Sequence, residues 1–311
     1  MRAMVGGYTK KKTEPPKPLE RFDYGMVGPR IAGLRFNLDR DIERRAQEAI
    51  RRADADSDRC LSLLNIMLRF AWNSYEAVLY LAGDVPDDPR RKPNYVLVVP
   101  NINRQLLDML FSLAYMLDDF RPRSIAYQRS GFRELHEEIQ VFKTTFGSDP
   151  EWKQYFKNTK SMLGAMADRF GITPEERKKP SLIPYWKTPY QLLEEKSACC
   201  DFLKYLEKWL YKDTSAQAHM SFGGMFKVSL FLIADLVGEE AKAQVSDRPM
   251  KIYHFTQISR TAISFLAIAT EIDTYCRFGN REQIDYIWTV FSGYAAEAKE
   301  MWELRYRDRP R

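Results

Sequence analysis

From Leu38 the apolar positions repeat at helical spacing: Leu38, Ile42, Ala46 and Ile50 fall every fourth residue, with charges on the other faces. A second helix follows through "CLSLLNIMLRFAWNSYEAVLYLAG", capped by Ser57 and closed at Gly83. It is apolar nearly all round, which places it in the middle of a bundle. After the loop "GDVPDDPRRKP", the segment "NYVLVVPNINRQLLDMLFSLAYMLDDF" reads as another central helix entered near Pro100. "YVLVV" alone resembles a strand, but a solitary strand would have no pairing partner in this chain.

Further helices are expected at 124–146 and at 149–169, the latter opened by "DPEW" and closed by Gly171. Thr173-Pro174-Glu175-Glu176 reads as a short capped turn and "KKPSLIPYWK" as a loop. Thr188-Pro189 then starts a helix reaching about Tyr211, followed by "MFKVSLFLIADLVG" and by helices over about 249–278 and 281–305. No repeat of fixed period is present, which argues against a solenoid. The pattern predicts an all-α fold, a large helical bundle of about eight or nine helices. Its central members lie near 58–82, 99–118, 190–211, 215–238 and 250–278.

Composition changes this picture mainly at the ends. Hydrophobic residues make up 45% and charged residues 29% of 311 positions, ordinary values for a globular chain able to bury a core. Residues 1–35 are rich in Gly, Pro and Lys and read as an extended basic arm, leaving 36–311 as one bundle domain. The arm carries eight basic residues against three acidic ones, a net +5, and "RYRDRPR" at the end carries +3. With +6 overall, the body between them is left at −2. The basic tails point to RNA or another nucleic acid, or to an acidic partner protein, as what they would contact. The arm interleaves Tyr and Phe with Lys and Arg, as single-strand binders do. A homodimer is compatible with the pattern.

Cys60, Cys199, Cys200 and Cys276 show no C-x-x-C spacing, and adjacent cysteines fit disulfide geometry poorly, so reduced thiols in a cytoplasmic protein are expected. The long apolar runs are broken by charges such as Arg69, Glu76, Arg104 and Asp108, which argues against a membrane span. No apolar stretch near Met1 suggests a secretory signal.

Candidate chemistry concentrates in two helices. No phosphate-cradling glycine loop is present, and the three histidines lack metal-ligand spacing, so neither a metal nor another cofactor is expected. In "WLYKDTSAQAHMSFGGM", Tyr211, Ser215 and His219 recur every fourth position, with Lys212 near the same stripe. A buried row of such groups implies a hydrogen-bond network, unless Thr214 or Ser215 caps a new helix and breaks it. In the other helix Arg104 and Asp108 lie four apart among leucines; an Arg there must be paired, and Asp108 is the partner by spacing.

The R-x-x-x-[DE] helix followed by Y-x-x-x-S-x-x-x-H resembles bacterial helical proteins found among phage-defence and mobile-element genes. Lys212-Asp213 and His219 also resemble the HEPN ribonuclease motif, in which an Arg and a His activate a ribose 2′-hydroxyl and steady the phosphate without metal. Here Lys212 stands where that family has Arg, and a lysine cannot make the bidentate contact. Arg248 and His254 match the spacing as well, but Pro249 suggests that Arg248 precedes its helix. The resemblance implies a metal-independent ribonuclease: His219 as acid–base, Ser215 and Tyr211 orienting it, Arg104 and Lys212 holding phosphate, and Asp108 orienting Arg104. The residues themselves leave a second reading open: a non-enzymatic interaction module in which the same row is structural.

Overall fold

The computed structural model describes residues 24–82, 93–219, 221, 223–224 and 248–308. Among them every regular element is helical, and nine helices run seven residues or longer. In chain order they are α1 (Tyr24–Arg51), α2 (Ala55–Ala82), α3 (Val99–Asp118), α4 (Phe120–Phe146), α5 (Lys153–Arg169), α6 (Pro174–Lys178), α7 (Pro189–Leu193), α8 (Cys200–Leu206), α9 (Lys212–Ala218), α10 (Arg248–Cys276), α11 (Arg281–Tyr294) and α12 (Ala296–Met301). The all-α expectation holds. Among the described residues no helix is long and apolar enough to cross a membrane.

α10 is the axis, packed against α2 and α3 with α1 and α11 outside them. Every residue from Thr261 to Asp273 is buried, because this stretch is apolar or small on all faces. Its two carboxylates are matched: Arg305 Nε donates to Glu271 at 2.9 Å, and Asn280 Nδ2 to Asp273 at 2.9 Å. Trp288 on α11 is fully buried and its indole N–H donates to Thr270 Oγ1 at 3.0 Å, so the largest side chain of the core leaves no orphan donor.

Several boundaries differ from the sequence reading. The first helix begins at Tyr24, not near Leu38, so residues 24–35 are not an extended arm. Gly25, Gly28, Pro29 and Gly33 suggest breakage, yet Val27, Ile31 and Leu34 extend the apolar stripe of Leu38 and Ile42 into the core, and that burial outweighs weak propensity. Residues 1–23 lie outside the described residues, as do residues 83–92, expected as a loop, and most of the helix expected over 215–238. At α2 the cap is Asp54, which accepts from the Ser57 amide at 3.0 Å, rather than Ser57 itself. Pro100 opens α3 as expected, after a 3₁₀ turn over Pro93–Val98.

The helix expected over 190–211 is interrupted between Leu193 and Cys200. Tertiary bonds compete with the helix there: the Cys199 amide donates to Asp118 at 3.3 Å, while the Tyr115 hydroxyl and Lys187 ammonium hold Glu195. From Cys200 the helix instead runs through a π-turn at Glu207–Tyr211 into α9, so 215–218 belong to this helix and neither Thr214 nor Ser215 starts a new one. The final helix also breaks, at Ala295 (φ −129°, ψ 121°), which lets Tyr306 fold back against Trp288 with ring centres 5.1 Å apart.

α4 and α5 form an antiparallel hairpin of their own. Phe132 meets Ala167 near its base in a separate small core with Ile172 and Ile183. Phe142 meets Tyr155 near the tip, where Phe146 and Trp152 stack with ring centres 4.5 Å apart. The signals at 149–152, Gly171 (φ +62°) and the capping box from Thr173 to Glu176 all appear as the sequence predicts.

Candidate functional site

The polar row on α9 is shaped by the turn that precedes it. In the π-turn the Lys212 amide donates to Glu207 O, five residues back, which rotates the following turn. Tyr211 therefore points inward and is 1% exposed, with Phe111 at 5.3 Å and Tyr190 at 5.7 Å between ring centres. Thr214, also buried, returns its hydroxyl to Leu210 O at 2.8 Å. α9 stops at His219, whose amide donates to Ser215 O at 2.9 Å. Beyond it Ser221 donates its hydroxyl to Ala216 O at 2.9 Å and accepts from the Gly224 amide at 3.2 Å. A Cβ at position 224 would lie 2.2 Å from Ala216 O, so the glycine is required by close backbone approach. This cap leaves the His219 side chain exposed at the helix end.

Across from Tyr211, α3 presents the charged pair. Arg104 Nε donates to Asp108 Oδ2 at 3.0 Å, and the guanidinium lies 3.5 Å above the centre of the Tyr211 ring. Burial raises the Asp108 carboxyl above the ordinary carboxylate range; the hydrogen bond and charge of Arg104, and then the charge of His219, pull it back. Arg104 Nη1 and Asp108 Oδ1 are sealed from solvent without a hydrogen-bond partner among the described residues.

Three of the six candidates therefore meet, Arg104, Asp108 and Tyr211, and His219 lies within electrostatic reach of Asp108. The other two do not join them. Lys212 is engaged with Glu207 at 3.1 Å and its side chain is 63% exposed. Ser215 is half-buried, and its hydroxyl makes no hydrogen bond among the described residues. Tyr211 has a different role from the expected one, carrying Arg104 on its ring face instead of orienting His219. Of the alternative pair, His254 bonds the last carbonyl of α2, Ala82 O, at 2.9 Å, and Arg248 lies within α10.

A second polar seam beside this cluster went unread in the sequence. On the other face of α9, Asp213 accepts from Arg260 Nη1 at 2.6 Å and from Gln217 Nε2 at 3.1 Å, and the Tyr253 hydroxyl donates to Gln217 Oε1 at 2.8 Å. Burial, and then the charge of Asp213, push the Tyr253 hydroxyl up to about 12. One turn further in, Asn103 donates to Gln257 Oε1 at 3.0 Å and accepts from Thr261 at 2.6 Å. The available signal was the four-residue spacing of Asp213 with Gln217 and of Gln257 with Thr261 inside apolar helices.

The junction of α3, α9 and α10 thus holds two arginines, two carboxylates and an exposed imidazole. Among the described residues no group of three or more His, Cys, Asp or Glu is placed to hold a metal ion. The buried thiols are quiet nucleophiles, since burial pushes Cys199 up to about 11 and Cys276 up to about 12. Neither of two surface grooves, about 470 Å³ beside Cys60 and about 900 Å³ between α4 and α5, is lined by Arg104 or His219. No family model matches the chain, and neither do curated proteins or solved structures.

Proposed function

We propose that this protein is a nucleic-acid-associated helical module without catalytic activity, in which the polar row on α9 belongs to the framework. One observation carries the framework reading: the Arg104 guanidinium is clamped between the Asp108 carboxylate and the Tyr211 ring, with Nη1 sealed in the packing. A phosphate-binding arginine needs its fork open to a ligand, and this one is committed to its neighbours. The association with nucleic acid rests on the net +3 of residues 1–23, ahead of α1, and on Arg309 and Arg311 at the other end, since Arg305 is committed to Glu271.

The exposure of His219 beside Asp108 favours a second reading, the metal-independent ribonuclease implied by the HEPN resemblance. There His219 would exchange the proton of a ribose 2′-hydroxyl, and Asp108 would steady the imidazolium. The two readings separate in one experiment. Wild-type protein and the His219→Ala variant are incubated with a labelled single-stranded RNA in EDTA, and thermal melting is recorded for both. The framework reading expects intact RNA in both reactions and nearly equal melting temperatures. Metal-free cleavage that disappears in His219→Ala would establish the enzyme instead.

A further inference from the structure

The α4–α5 groove is lined by two facing stripes at helical spacing. His136, Gln140 and Lys143 lie at intervals of four and three on α4, and Lys153, Lys157 and Lys160 at the same intervals on α5. The antiparallel run sets Lys143 towards the tip near Lys153 and Lys157, and His136 towards the base near Lys160. The three lysines of α5 span about 10 Å along the helix axis at ~1.5 Å per residue. All four lysines are exposed, none is engaged by a carboxylate among the described residues, and no Asp or Glu lines the groove.

Apart from Glu151, exposed at the tip, the hairpin's own acids are placed or held elsewhere. Glu134 and Glu138 fall on the opposite side of α4 from the His136–Lys143 stripe, at roughly 160–200° on a wheel of ~100° per residue. Glu137 is held by Arg133 at 2.8 Å and by the Tyr185 hydroxyl, and Asp168 by Arg177. Asp149 caps the turn at the tip by accepting from the Glu151 amide at 2.9 Å. Half-buried Phe156, braced by Trp152 and Tyr155, is the aromatic side chain that lines the groove.

Unpaired ammonium groups along a helix cost the fold repulsion and repay nothing in its packing; a polyanion would neutralise them. From this charge complementarity we infer that the α4–α5 groove binds the phosphate backbone of a single nucleic-acid strand, with Phe156 offering a face for a base. A regular row of cations with an aromatic on its floor is how sequence-tolerant single-strand binders hold a backbone. This inference rests on the nucleic-acid association proposed above and adds the place on the folded body where the strand lies.

The test measures fluorescence anisotropy of labelled 15-nucleotide oligouridine and oligothymidine with full-length protein between 50 and 200 mM salt. The variants are Lys153→Gln/Lys157→Gln/Lys160→Gln, the corresponding triple Arg variant, and an arm variant with Lys10, Lys11, Lys12 and Lys17 changed to Gln. Unchanged melting temperature confirms that each is folded. Removing three backbone contacts should flatten the slope of log K against log [salt] by about 2, at ~0.7 per contact, and weaken binding on the order of tenfold or more. The Arg triple variant should bind within about twofold of wild type. Wild-type-like binding by the Gln triple, with loss only in the arm variant, would remove the groove and keep the association. No binding by wild type at 50 mM salt would end both. Equal competition by polyglutamate would overturn the nucleic-acid assignment in favour of an acidic polypeptide.

Discussion

The α3–α9–α10 junction and the α4–α5 hairpin are both rich in charge, and they handle it in opposite ways. At the junction each arginine is matched: Arg104 to Asp108 at 3.0 Å and Arg260 to Asp213 at 2.6 Å. In the hairpin groove the lysines stay in water without partners. The difference follows from burial. A charge withdrawn from water must be paired, whereas an exposed ammonium keeps its hydration and needs no partner to be tolerated. Paired charge is therefore tied to the fold, and unpaired charge on a concave surface is free to meet a ligand.

The contrast can be broken most forcefully at Arg260. Arg260→Leu should lower unfolding free energy by about 2–4 kcal/mol, because Asp213 is left without its cation between α9 and α10; urea denaturation would measure it. Loss below ~0.5 kcal/mol would show that the junction is no more tied than the surface. Gly224→Ala comes next, at about 1–3 kcal/mol, since its Cβ would meet the Ala216 carbonyl. The cap that holds His219 should loosen with it, read as a changed histidine Cε1–H shift in NMR.

A finer distinction comes from Asp108. Its carboxyl sits above the ordinary range in the folded protein, so protonation favours the fold. That contribution is fully present below the unfolded value near pH 3.9, and is lost as pH rises through the raised folded value. Asp108→Asn mimics the neutral form. It should gain stability relative to wild type between pH 4 and pH 7, and a difference that stays flat with pH would contradict the assigned burial effect. The smallest effect belongs to the hairpin, where the Lys153, Lys157 and Lys160 triple Gln variant should stay within ~0.5 kcal/mol of wild type.

Much of the candidate site was legible in the sequence because helical spacing is local. The pairing of Arg104 with Asp108 could be read from an interval of four, whereas its facing Tyr211 could not. Lys212 could not be placed correctly, because its ammonium pairs back across the π-turn at 207–211 to Glu207, and nothing in "EKWLY" announces that turn. Asp213 and Arg260 are 47 residues apart, so their pairing required the docking of α9 on α10. The lysines of α5 read as ordinary solvated charge until α4 was folded back to make a groove of them.

The sequence alone determined the helical class, the apolar centres of α2, α3 and α10, the capping box at Thr173 and the turns at Asp149 and Gly171, since each depends on residues within about one or two helical turns. Tertiary structure decided where α1 begins, where the helix after Thr188 breaks, which arginine meets which carboxylate, and which lysines face one another. Those outcomes are set by burial and charge between segments distant in the chain, and local pattern carries no information about distance across a fold.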